Sequence, residues 1–142
     1  MIRTLTFICV LISSVAGCSG DNRSEVWGTV RLNGQPIEEG AIAFIPVDGN
    51  IGPEAGAVIR DGKYHIPKSG GVTPGRNRVE LRSFRDSGRM VQDPTGPPGT
   101  LTKERVSAFP PEFNEGSTLI REVRKGSDTI DFDIQVALPE TR

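Results

Sequence analysis

The chain has 142 residues, 35% hydrophobic and 25% charged, which is the composition of a globular chain with room for one domain. Its 17 glycines and 11 prolines favour turns and short extended segments over long helices. A formal net charge of −1 excludes attraction to nucleic acid or anionic headgroups by bulk charge, so no nucleic-acid partner is expected.

The first element is a leader. Met1-Ile2-Arg3-Thr4 precedes an apolar run from Leu5 to Ile12, and Ser13-Ser14-Val15-Ala16-Gly17-Cys18 follows. One basic residue, a short apolar stretch and small residues before a cleavage point make a secretory signal. The run is well short of the roughly 20 residues that a membrane-spanning helix needs. Val15-Ala16-Gly17-Cys18 resembles the lipobox of bacterial lipoproteins. That resemblance implies cleavage between Gly17 and Cys18, a diacylglyceryl thioether on Cys18, and acylation of its new amino group. Residues 1–17 would then leave as a signal peptide, and the membrane would be a partner through N-terminal lipid. The chain is expected at the outer membrane or the periplasmic face of the cell envelope. Ser19 in place of aspartate favours the outer membrane by the sorting rule of the best-known Gram-negative systems. Cys9 would be lost with the leader and Cys18 acylated, so no disulfide is expected and the fold must rest on its apolar core. Residues 18–24, mostly small and polar, read as a flexible tether.

From Glu25 the pattern is one of strands. Val26, Gly28, Val30 and Leu32 alternate with Trp27, Thr29 and Arg31, and Asn33-Gly34 makes a turn. Ala41 to Ile45 is an apolar run closed by Pro46. Ala55 to Ile59 leads to Asp61-Gly62, a hairpin turn whose residues tolerate positive φ, and Lys63-Tyr64-His65-Ile66 alternates again. Thr73-Pro74-Gly75 turns the chain into Arg78 to Arg82, with apolar and charged residues on opposite faces. Ile130, Phe132, Ile134, Val136 and Leu138 share one face of a last strand, and Thr118 to Val123 reads as its hairpin partner. The domain 25–138 is therefore expected to be all-β, an antiparallel Ig-like or prealbumin-like sandwich of about seven strands.

Val26-Trp27-Gly28-Thr29-Val30, Asn33-Gly34-Gln35-Pro36-Ile37, Gly40 to Pro46, Asp61-Gly62-Lys63-Tyr64 and Pro74-Gly75 together resemble carboxypeptidase-regulatory-like domains. Those are transthyretin-like sandwiches, similar to domains in many small bacterial lipoproteins. Phe109-Pro110-Pro111-Glu112-Phe113-Asn114 and Asp131-Phe132-Asp133-Ile134 resemble the C-terminal part of such lipoproteins. These are turn and core features, so the resemblance implies a fold and no reaction. Transthyretin-like enzymes acting on ureides carry several histidines and a characteristic C-terminal tetrapeptide; this chain has one histidine and ends Leu138-Pro139-Glu140-Thr141-Arg142.

Residues 85–116, with Asp93-Pro94-Thr95-Gly96-Pro97-Pro98-Gly99, show little periodicity and read as a long Pro/Gly-rich loop, mobile or disordered around 89–103. On a rigid scaffold such a loop is the first candidate for partner binding. Elsewhere the chemistry is sparse. His65 stands alone where zinc would need several N or S ligands. Glu38-Glu39 and Asp131/Asp133 read as solvated acids rather than an acid–base pair. Asp48-Gly49-Asn50 and Asp61-Gly62 offer oxygen atoms of the kind calcium takes, without EF-hand spacing. Arg78, Arg82, Arg85, Arg89, Lys103 and Arg105 form a basic series diluted by Glu80, Asp86, Asp93 and Glu104. No catalytic residue, metal or cofactor is assigned. Trp27 and Tyr64 are the candidate binding residues, as platforms for a sugar ring. The expected function is a non-enzymatic envelope lipoprotein, a structural or protein-interaction module; the alternative is a carbohydrate-binding or adhesion domain.

Overall fold

Alternation decides which side chains meet. In the computed structural model, which describes residues 22–137, Val26 and Val30 of β1 (Glu25–Leu32), Ile42 and Phe44 of β3 (Glu39–Pro46), Tyr64 and Ile66 of β5 (Lys63–Ile66) and Val79 and Leu81 of β6 (Gly75–Arg82) all point into one core. The remaining strands are β2 (Gln35–Pro36), β4 (Ala55–Arg60), β7 (Phe84–Gln92), β8 (Leu101–Ser107), β9 (Ile120–Val123), β10 (Ser127–Thr129) and β11 (Phe132–Ile134). Among the described residues the only helical pieces are 3-10 turns at Lys68–Gly70 and Pro111–Phe113. The chain is all-β and sandwich-like.

The main sheet runs β10-β1-β5-β4-β3-β6-β9, with β2 and β11 also paired to β1. It bends at the β4–β5 hairpin, whose strands share the single rung Arg60↔Lys63 before they part. Beyond that bend the two halves face each other. Rings from Phe44 on β3, Tyr64 on β5 and Phe132 on β11 meet between them, with centroids 6.3–6.4 Å apart. Asn33-Gly34 and Asp61-Gly62 both have positive φ at both positions, as a hairpin turn matched to strand twist requires.

The C-terminal strands differ from the sequence expectation. β9 pairs antiparallel with β6, not with the last strand. Of the last strand expected from Ile130 to Leu138, only β11 forms among the described residues; β10 precedes it, and both lie parallel to β1. Period two fixes which face a residue occupies and leaves the partner strand open. The break between β10 and β11 falls opposite Gly28, where the Ile130 carbonyl sits in the space a side chain would fill. Both backbone polar groups of Ile130 are paired: its N–H donates to the Trp27 carbonyl (2.9 Å), and the Tyr64 hydroxyl donates to its carbonyl (2.7 Å). Asp131 Oδ1 accepts from the Thr29 N–H (2.7 Å) and hydroxyl (2.8 Å), standing in for the missing strand acceptor. Upstream of β10, Arg124 holds the turn by donating from its guanidinium and its backbone N–H to Asp128. Burial pushes the Asp128 carboxyl pKa up, but those bonds and the Thr129 N–H outweigh it and keep it below the ordinary 3.8.

The folded body begins one residue earlier than expected. Ser24, placed in the tether, is fully buried; its backbone exchanges two hydrogen bonds with Val72, and its hydroxyl donates to the Arg124 carbonyl (2.6 Å). Gly17, Cys18 and Leu138 lie outside the described residues.

The second difference is the segment expected as a long loop. β7 and β8 pair into an antiparallel ribbon joined through the Pro/Gly-rich stretch, where Asp93 accepts from the Thr95 N–H and hydroxyl. Those two bonds, the backbone one first, hold the exposed Asp93 carboxyl below its ordinary pKa. Among the described residues the ribbon pairs with no other strand. Neither of its faces is fully buried, so no apolar/polar alternation marks it in the sequence. A bulge between Asp86 and Met90, with Gly88 at φ 84°, breaks its period as well.

Candidate functional site

The two aromatic candidates sit on opposite faces of neighbouring strands. Tyr64 alternates with His65 and falls beside Ile66 in the core, only 3% exposed. Its ring packs against Phe44 and Phe132 and its hydroxyl is committed to Ile130, so it is no stacking platform. This corrects the expectation for Tyr64. Burial, and then the charges of Asp131 and Asp128, push its pKa well above the ordinary 10.0. The phenol is thus held neutral in the folded state. The stability that this provides is complete below pH 10.0 and is lost as pH rises from there through the folded value. Because Tyr64 is the chain's one tyrosine, phenolate absorbance reports it directly. We expect Tyr64 to titrate above its ordinary pKa, together with loss of fold; ionisation near 10.0 in the folded protein would contradict this packing.

Trp27 points the other way and is 40% exposed. Strand register surrounds it. Trp27 lies opposite His65 on β5 and Thr129 on β10, and two residues along β1 Thr29 lies opposite Lys63, which in turn faces Arg60 on β4. The outer face therefore carries two parallel rows across the sheet. One is Thr129, Trp27 and His65; the other is Asp131, Thr29, Lys63 and Arg60, joined at its first step by the Asp131–Thr29 hydrogen bonds. Val58, 60% exposed, completes the floor of a shallow depression of about 650 Å³. His65 Nε2 lies 2.6 Å from Glu25 Oε1, an exposed pair at the margin. Arg60 and Lys63 form no salt bridge among the described residues, while the acid of their row is occupied by Thr29.

Arg60 and Lys63 were not singled out from the sequence, and Asp131 was read there only as a solvated acid paired with Asp133. The Asp61-Gly62 turn was signal enough to place Arg60 against Lys63; nothing local places them beside Trp27, which the β1–β5 register decides.

No family model, curated protein sequence or solved structure matches this chain.

The other candidates are dispersed. Among the described residues no three His, Cys, Asp or Glu side chains gather as a metal site would need. Asp48 accepts from Arg76 Nε (2.9 Å), and Asn50 donates to the Arg76 carbonyl. Asp133 accepts from Gln135, and Glu38 and Glu39 are exposed. Four members of the basic series are paired with acids. Arg78 and Arg82 close on the buried Glu80 at 3.1 and 3.0 Å, Arg89 and Lys103 pair with Glu104 and Asp86, and Arg105 lies over the Phe84 ring. Phe84, Met90 and Leu101 share the more exposed face of the ribbon, each more than half exposed.

Proposed function

We propose that the chain is an exported lipoprotein, cleaved behind Gly17 and acylated on Cys18, whose sandwich is a non-enzymatic interaction module at the cell envelope. The observation that carries the interaction half is the ribbon, which keeps Phe84, Met90 and Leu101 in water on one face. A lone two-stranded ribbon is marginally stable in water, and one that holds large apolar side chains in water on a single face has the character of a contact surface. The anchor half rests on the apolar leader ending at Val15-Ala16-Gly17-Cys18. With Ser24 already docked, residues 18–23 would reach about 20 Å at most, so the lipid would hold the body close to the bilayer.

Two acyl groups or more give stable anchorage, one only reversible binding. Wild type is therefore expected in the detergent phase of a Triton X-114 separation and Cys18→Ala in the aqueous phase, with the matching difference in intact mass. Wholly aqueous behaviour of both proteins would remove the anchor.

Trp27 supports a second reading, a carbohydrate-binding or adhesion domain. A half-exposed indole flanked by Thr129 and His65 in its own row, with a second, polar row beside it, is an arrangement on which a sugar ring can stack. Acrylamide should quench Trp27, the only tryptophan, in the free protein, and bound glycan should shield it.

A further inference from the structure

The outer-face depression has a polarity of its own. Its aromatic row and its charged row are separated by two residues along β1, about 7 Å at strand rise. That separation is comparable to one pyranose ring with an exocyclic carboxylate. The charged row ends in Lys63 and Arg60, adjacent across the β4–β5 rung and without an acidic partner among the described residues. Asp131, at the opposite end, has Oδ1 engaged by Thr29. The positive end of the row therefore lies away from the one carboxylate in it.

Resting on the carbohydrate reading above, we propose that this face binds a carboxylated polysaccharide, one built of uronic-acid sugars. A sugar ring stacks on Trp27, and its carboxylate pairs with Lys63 and Arg60. The aromatic platform selects a ring over a flexible acidic peptide. The two cations select an anion over a neutral glycan, and the planar guanidinium suits a carboxylate by bidentate donation. Hydroxyls of Thr129 and Thr29 lie in the two rows, where they can meet sugar hydroxyls.

The single tryptophan makes the test direct. The full mature chain, in detergent, is titrated with oligogalacturonate, with its methyl ester, and with polyglutamate, while Trp27 emission is followed. The ester keeps the ring and loses the charge; polyglutamate keeps the charge and has no ring. Oligogalacturonate is expected to shift the emission saturably, the ester to bind roughly tenfold or more weakly, and polyglutamate to give no saturable change. Lys63→Gln and Arg60→Gln are each expected to weaken oligogalacturonate roughly tenfold, with the same thermal midpoint as wild type, because both side chains are exposed and form no salt bridge among the described residues. Trp27→Ala, followed by calorimetry, is expected to lose binding. Equal binding of acid and ester, or unchanged affinity in both Gln variants, would overturn the charge assignment while leaving a glycan site. Polyglutamate binding as tightly as oligogalacturonate would make the face a reader of acidic peptide and overturn the proposal. If neither sugar binds, the proposal and the carbohydrate reading fail together.

Discussion

Replacing Phe132 with alanine is expected to destabilise the protein by about 3–5 kcal/mol, the cost of emptying a buried aromatic site. Phe132 is 1% exposed, lies edge-on to Phe44 at 61° and tilted against Tyr64, and has the Arg121 guanidinium 5.3 Å from its ring centre. Neighbouring rings cannot collapse into the space without breaking their own positions, because Phe44 and Tyr64 are fixed in β3 and β5 and Tyr64 is tied to Ile130. Against a domain stability of about 5–15 kcal/mol this is a large fraction. The urea midpoint, followed by Trp27 fluorescence, should fall by at least about 1 M. Val58→Ala, on the outer face, should stay within about 0.5 kcal/mol of wild type and serves as the control. A Phe132→Ala variant within that same margin would mean that the three rings are not the centre of the core.

Gly28→Ala is expected to cost about 3 kcal/mol, through a different physical route. A Cβ at position 28 would lie 1.9 Å from the Ile130 carbonyl oxygen and 2.7 Å from its carbon. Those are backbone atoms held at both ends by the parallel β10 and β11 ladders, so no side chain can rotate aside. Relief requires the chain at 130–131 to move away, which strains the Tyr64–Ile130, Ile130–Trp27 and Asp131–Thr29 hydrogen bonds together. Two readouts identify the mechanism: a lower urea midpoint, and a Tyr64 phenol that ionises closer to its ordinary 10.0 because the chain displaced at 130–131 no longer buries it as completely and carries the Asp131 charge away from it. Gly34→Ala makes the contrast. At φ 79° with nothing within 4 Å it meets backbone strain and no clash, and about 1–2 kcal/mol is expected. Equal effects at the two glycines would show that close approach is not what Gly28 provides.

Much of the body is legible along the chain because one half of the alternation is buried. Val26 and Val30, Ile42 and Phe44, and Val79 and Leu81 repeat at period two, and Asn33-Gly34 and Asp61-Gly62 mark the turns between strands. The same rule places Tyr64 with Ile66 and against His65, so its core position is readable from the alternation alone. The ribbon was unreadable for the converse reason. Its two faces both meet solvent, its bulge breaks the period, and its prolines lie in the turn rather than in the strands.

By itself, the sequence determined that the domain is β and which residues face inward, since burial of alternate side chains is a local property of a strand. The tertiary structure alone decided that β10 and β11 run parallel to β1, that Gly28 exists to admit a carbonyl, and that Lys63 and Arg60 stand beside Trp27. Those are matters of register between segments as much as about 100 residues apart, and register is set by which rows of side chains pack and pair across the sheet.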